Sequence, residues 1–181
     1  MLHYCLAHTA HHLSRWLPKH DRLKFQIIVV TFVTIVLVPQ LYVLIRPKSA
    51  RFCQQPLLGN LTCSIALTFM ASGFAVVLTL KDPIPQALKA AFHAFGVASF
   101  TAGLCTTVLT ASAAPCAKTT PELYYLSLML SVGSMLATGF FLAMGGFWAA
   151  NQLCPGSVLN LRSRTGVCLE PVSSCSCLWH I

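Results

Sequence analysis

Histidine and cysteine are the residues of this chain whose types and spacing could support chemistry, and most of them lie towards its two ends. The first twenty residues contain five histidines: His3, His8, His11, His12 and His20. His8 and His12 are four residues apart, which would place two imidazoles on one helix face, as a zinc site requires. No carboxylate or thiolate at a suitable spacing completes such a site. We therefore predict a solvated histidine face, with no bound metal and no other cofactor.

The nine cysteines fall into groups with different expected chemistry. Cys53, Cys63 and Cys116 lie near the ends of apolar stretches, and a disulfide between two of them would tie the first loop to the second span or to the third loop. Three free thiols fit the sequence equally well. Candidate S-acylation sites lie close to the membrane or in the tail, and unmodified thiols are as consistent with their positions: Cys154, Cys168, Cys175 and Cys177.

Few residues have the arrangement that catalysis needs. The chain has no Cys-x-x-Cys, which a thiol oxidoreductase would require, and none of its four acidic residues lies inside an apolar stretch. Only Lys89 and His93, one helical turn apart near the start of an apolar stretch, suggest surface chemistry on a lipid. We predict no catalytic residues and a protein that is not an enzyme.

Four apolar stretches determine the expected architecture. They run over about 25–45, 61–80, 86–112 and 123–150, and each reaches the roughly 20 residues that a helix needs to cross a bilayer. Charged residues make up only 9% of the chain, against roughly a quarter in soluble domains, and the mean hydropathy is +0.71. The fold class predicted is an all-α integral membrane protein, a bundle of four transmembrane helices with short loops.

The chain divides into three predicted regions. Residues 1–24 form a cytosolic amphipathic segment that lies at the membrane interface, residues 25–150 form the membrane domain, and residues 151–181 form a cytosolic tail. Pro39 lies inside the first span, where its missing N–H is expected to kink the helix. The tail ends in Trp179, His180 and Ile181. We favour membrane association for this ending over binding to a PDZ domain.

Small residues recur at helical spacing in the third and fourth spans. Lipid supplies no hydrophobic drive for helix association, so close backbone approach and weak hydrogen bonds must supply it. The spacing predicts a packing seam made of these residues: Gly96, Ser99, Gly103, Thr106, Thr110, Gly139, Ala143 and Gly146. A pathway lined by the hydroxyl groups is the alternative.

The net charge of +8 indicates orientation rather than a nucleic-acid partner, because the basic residues lie at the ends of apolar stretches. With the N-terminus in the cytosol, eight Lys and Arg residues face the cytosol and four face the outer side. The cytosolic set is Arg15, Lys19, Arg22, Lys24, Lys81, Lys89, Arg162 and Arg164. We predict cytosolic termini in the plasma membrane or an endomembrane.

The function expected from these features is non-enzymatic. The chain would act as a scaffold, trafficking or partner-binding component that contacts membrane lipids, other membrane proteins or itself. A small oligomeric channel or transporter is the first alternative, and a membrane enzyme acting on lipid is the second. Nucleic acid is not an expected partner.

Overall fold

Helices are the only regular elements in the part of the chain that the computed structural model describes, which is residues 1–14, 21–47, 55–81 and 84–153. Four of them are long and apolar enough to cross a membrane: Leu23–Ile45, Leu57–Leu80, Gln86–Ser112 and Pro121–Gly146. The prediction of an all-helical chain with four long apolar helices is therefore confirmed for these residues.

The first long helix changes its winding halfway along. It consists of α2 (Asp21–Thr31), a π-helical segment (Phe32–Leu37) and α3 (Val38–Ile45). Pro39 has no N–H to donate to the carbonyl of Ile35, and its ring crowds that carbonyl. The wider π turn immediately before Pro39 is a known way for a helix to absorb such a break. The sequence predicted a kink, and the structure shows the disturbance as this π segment.

The remaining helices follow closely in the chain. They are α4 (Leu57–Leu80), α5 (Gln86–Ser112), the short α6 (Cys116–Thr119) and α7 (Pro121–Leu153). Helix α4 begins four residues before the predicted start of the second span, directly after Pro56. A proline at this point has no N–H to leave unpaired at the helix start.

Helix α4 is the element on which most of the others pack, since α1, α2, α3 and α5 all contact it. At the end of the structure where α4 begins, aliphatic side chains from several elements form a buried group that we call the aliphatic cluster. Its buried members are Leu37, Val43, Leu57, Leu61, Ile65, Ala113, Cys116 and Leu123. This cluster brings the ends of α3 and α5 and the start of α7 against α4.

Helix α1 (Leu2–Ser14) differs from the predicted N-terminal segment in its environment. It packs against α4 and α5, with His3, Tyr4, Ala7, His8 and His11 buried, while Leu13 is 58% exposed. The sequence predicted a solvated histidine face. In the structure these three histidines are buried, and His3 Nε2 lies 3.3 Å from the Ser64 hydroxyl of α4.

The chain divides into two compact units, residues 1–137 and 138–181. Helix α1 therefore belongs to the same unit as the first three long helices and the first half of α7. In the second unit the described residues are the remainder of α7, in which the rings of Phe140 and Phe141 meet edge to face with their centroids 5.8 Å apart. Residues 154–181, which include the predicted acylation sites and the predicted tail ending, lie outside the described residues.

Candidate functional site

The first residues of α1 lie beside the middle of α5. Ser99 is the central residue of α5, and its carbonyl accepts a hydrogen bond from the Met1 amine at 2.6 Å. The same amine lies 3.3 Å from the Ser134 hydroxyl of α7, and the Tyr4 N–H donates to the Ser99 hydroxyl at 3.3 Å. Hydrogen bonds from the start of α1 thus join α1 to α5 and α7 at the level of Ser99.

His3 extends this polar contact to α4. Its Nε2 lies 3.3 Å from the hydroxyl of Ser64, and both side chains are buried. Burial, and to a smaller extent the charge of the Met1 amine, lower the pKa of His3 to about 4. His3 is therefore neutral at pH 7, which allows it to sit inside the helices without a counter-charge.

Asn60 and Thr106 complete a group of side chains that we call the central polar cluster: His3, Asn60, Ser64, Ser99, Thr106 and Ser134. The Thr106 hydroxyl lies 3.1 Å from Asn60 Oδ1 and 2.8 Å from the Ala102 carbonyl. All six side chains line one cavity of about 20 Å³. Hydroxyl, amide and imidazole groups therefore converge on a small internal space.

Two further polar contacts join the long helices outside this cluster. Gln40 of α3 is 1% exposed, and its Nε2 donates to the Thr68 hydroxyl at 3.3 Å. Thr68 in turn donates to the Ser64 carbonyl at 2.9 Å, which leaves its oxygen free to accept from Gln40. On the other side, the Ser131 hydroxyl donates to the Thr107 hydroxyl at 3.0 Å, linking α7 to α5.

Apolar side chains close the central polar cluster at both ends. Towards the start of α5, the Tyr4 ring stacks on Phe92 with a centroid distance of 4.5 Å, and Phe74 lies 5.4 Å from Phe92 and 5.1 Å from Phe95. Towards the start of α4 lies the aliphatic cluster. In the described residues the cluster is a polar region between two apolar ones.

The predicted seam has two different environments. In α5, Gly96, Ser99, Thr106 and Thr110 are buried. A Cβ added at Gly96 would lie 3.0 Å from the Tyr4 ring, and one added at Gly103 would collide with the Ser134 hydroxyl. The α5 positions therefore face α1, α4 and α7 together, rather than α7 alone as predicted.

The seam positions of α7 belong to the second compact unit. Gly139, Ala143 and Gly146 are exposed, and a Cβ added at either glycine would meet no atom within 4 Å among the described residues. At Gly96 and Gly103, helix α5 lies close to Tyr4 of α1 and to Ser134 of α7. These two positions therefore have little space for a side chain. Spacing alone could not reveal which of the small residues would be covered.

Of the three predicted outer cysteines, Cys116 is disulfide-bonded and 1% exposed, whereas Cys63 is an exposed free thiol. Cys53 lies outside the described residues. Cys5 and Cys105 also carry free thiols, and burial raises the pKa of Cys5. The structure thus removes Cys63 from the predicted pairings.

The histidines of α1 lie close together at the end of the structure where α5 begins. The rings of His8 and His12 are 4.5 Å apart and those of His11 and His12 are 5.4 Å apart. Burial lowers the pKa of His8 to about 4, with smaller effects from His12, His11 and His93. Within the described ranges, no three His, Cys, Asp or Glu side chains are arranged to hold a metal ion.

Lys89 is half-buried and His93 is exposed, so α5 carries both groups towards the outside of this end.

No protein-family model, curated protein or solved structure matches the chain. The site is accordingly defined by its geometry: a polar cluster between apolar ends.

The sequence indicated Ser99 and Thr106 but not His3, Asn60 or Gln40. One signal for His3 was present, since His3, Ala7 and His11 recur every four residues and mark one helix face. Gln40 was the only side-chain amide between residues 27 and 53. An amide in an apolar stretch needs a partner inside the bundle, and that signal could have identified it.

Proposed function

We propose that the chain is an integral membrane protein with four transmembrane helices. The support is the distribution of its side chains, which is the reverse of that in a water-soluble protein. Large apolar residues on the outer faces of the long helices are strongly exposed, among them Ile35 at 69%, Met129 at 73% and Leu136 at 70%. Hydroxyl, amide and imidazole groups lie inside. Burying such a surface in lipid removes the cost of exposing it to water.

Extraction of isolated membranes at alkaline pH and with high salt tests this part of the proposal. A protein held by four spans stays in the membrane pellet under both treatments and is released by detergent. Release by alkaline carbonate alone would contradict it.

Within the membrane we propose a non-enzymatic role as a scaffold, trafficking or partner-binding component. The observation that carries this proposal is the central polar cluster, in which the polar groups bond one another and α1 between two apolar ends. The remaining surface of the long helices is apolar and suits the spans of other membrane proteins or of a second copy. The plasma membrane or an endomembrane is the proposed location.

Site-specific photo-crosslinking tests the partner-binding role. A photoreactive amino acid at Leu136, which is 70% exposed, should form a discrete protein adduct in cells. The same amino acid at Leu104, which is 51% exposed on α5, probes a second face. Adducts of one size at one of these positions support a defined partner face. Only lipid adducts at both positions would contradict the proposal.

A small channel or transporter is the second candidate, and the hydroxyl-lined cavity is the observation in its favour. The Phe92 ring stacks on Tyr4, which follows the cavity-lining His3, so the Phe92→Ala variant should increase conductance if a pathway runs past these rings. Ion flux into liposomes, measured for the wild type and this variant, distinguishes the two candidates. Equal background flux in both supports the non-conducting role.

A further inference from the structure

Asn60 has more hydrogen-bonding capacity than the surrounding side chains satisfy. A primary amide offers two donors and a carbonyl acceptor. The oxygen of the Asn60 amide lies 3.1 Å from the Thr106 hydroxyl, while its Nδ2 is buried and has no hydrogen-bond partner among the described residues. The side chain lines the cavity of the central polar cluster.

Reversing the amide does not remove the problem. The Thr106 hydroxyl has one hydrogen, and the Ala102 carbonyl at 2.8 Å is the closer acceptor for it. With that bond made, the Thr106 oxygen can accept from a reversed Asn60 amide, since the two amide orientations differ only in the positions of O and N. Either orientation leaves one amide atom of Asn60 without a hydrogen-bond partner in the part of the chain that the structure describes.

The space beside Asn60 has the size and lining that a water molecule requires. The cavity measures about 20 Å³, and one water needs roughly 10–15 Å³ by this measure and two to four polar partners. Ser64, Ser99 and Ser134 line the same space. Leu2, Leu67 and Leu130 also line the space, so the polar groups supply the hydrogen bonds that would hold a water in a cavity that would otherwise stay empty.

We propose that this cavity is a binding site for a single ordered water molecule, which satisfies the Asn60 amide and joins α4 to the beginning of α1. This water site is separate from the proposed partner-binding role and does not depend on it. Because the water bonds groups from more than one helix, it acts as part of the packing between them.

Selective labelling makes the water directly observable. The chain has three asparagines, Asn60, Asn151 and Asn160, so [15N]asparagine gives three side-chain amide signals from the full-length protein in lipid nanodiscs. The Asn151→Gln and Asn160→Gln variants assign the Asn60 signal by elimination and leave the cavity intact. We expect a cross-peak between the Asn60 amide protons and a long-lived water. The sign of this cross-peak distinguishes dipolar cross-relaxation from proton exchange.

Gln40 is the matched control. Its amide is also buried, but it donates to Thr68 and does not line the cavity. A [15N]glutamine sample should show no water cross-peak at Gln40. A cross-peak at Asn60 and none at Gln40 supports the site. Absence of the Asn60 cross-peak, or exchange alone, would overturn the proposal.

Filling the cavity provides a second measurement. Ala102 lines the space, so Ala102→Val should remove the Asn60 cross-peak. Ala98→Val adds the same group at an exposed position of α5 and should retain it. Survival of the cross-peak in Ala102→Val would place the water elsewhere and contradict the proposed site.

Discussion

Gly103 is the position at which α5 has least room for a side chain. An added Cβ would collide with the Ser134 hydroxyl and lie 3.2 Å from the Met1 nitrogen. We expect Gly103→Ala to lower the free energy of unfolding in detergent by about 1–3 kcal/mol, the usual cost of overpacking. Thermal unfolding of the purified protein measures the change.

Gly139 supplies the control for this substitution, since an added Cβ there meets no described atom within 4 Å. Gly139→Ala should be neutral or should stabilise the helix by up to about 1 kcal/mol, because alanine has the higher helix propensity. Equal loss of stability in both variants would show that the contact at Gly103 is unimportant.

Protonation of His3 and His8 should weaken the docking of α1. Burial lowers both pKa values to about 4 from an ordinary 6.5. Between these values each histidine binds more protons in the undocked helix than in the docked one, so its contribution to the stability of docking is complete above pH 6.5 and falls as the pH drops towards 4. Each histidine contributes at most about 1.4 kcal/mol per pH unit across this window.

Hydrogen exchange of the α1 amides between pH 7 and pH 4, corrected for the intrinsic pH dependence, measures this effect. Protection should decline at low pH in the wild type and decline less in the His3→Gln, His8→Gln double variant. An identical decline in both proteins would assign the pH response to other groups.

Asn60-Leu61-Thr62 matches the acceptor sequence for N-glycosylation, yet we expect it to remain unmodified. The Asn60 Nδ2, to which the glycan would attach, is buried, and the Thr62 hydroxyl donates to the Gly59 carbonyl at 2.7 Å within α4. Glycosidase treatment should leave the apparent mass unchanged. A shift that disappears in Asn60→Gln would contradict the burial of this residue.

Among the elements, α6 is too short to be stable as an isolated helix. A four-residue helix is far below the length at which isolated helices are stable, so its position depends on contacts such as the buried, disulfide-bonded Cys116. The nearby pair of Arg46 and Glu122, 3.7 Å apart, places the end of α3 close to the start of α7.

We propose Cys53 as the partner of Cys116. Cys53 follows Arg46 by only seven residues, and Arg46 lies beside Glu122, which is close to Cys116 in the sequence.

Peptide mapping without reduction should therefore identify a Cys53–Cys116 linkage, and Cys53→Ala should release a thiol at Cys116. Cys63→Ala is the control and should leave the linkage unchanged, since Cys63 carries a free thiol. A linkage from Cys116 to any other cysteine would contradict this assignment.

For the whole molecule, we propose that both termini face the cytosol. The bias of eight basic residues to four supports this orientation. The disulfide at Cys116 adds support, because disulfides persist on the oxidising side of a membrane, where this orientation places α6.

Thiol labelling at two exposed lysines tests the orientation. Lys81 follows α4 and Lys118 lies in α6. In a background where Cys63 and Cys105 are alanine, an impermeant maleimide added from the cytosolic side should label Lys81→Cys, and one added from the opposite side should label Lys118→Cys. The reverse pattern would mean that the protein has the inverted topology.

The sequence by itself determined the number and class of the long helices. Four uninterrupted apolar stretches can satisfy their backbone groups in lipid only as helices, so length and composition were sufficient. Pro39 likewise predicted a local disturbance, because a missing N–H acts through its own helix. The small residues of α5 were also recognisable, since packing without a hydrophobic drive requires them.

Only the tertiary structure decided where α1 lies and which small residues it covers. The histidine face of α1 has an equally good local explanation in solvent. The position of α1 depends on contacts of Met1, His3 and Tyr4 with Ser64, Ser99 and Ser134, which are distant in sequence. Such pairings follow from the mutual satisfaction of polar groups across helices, which no periodicity within one helix records.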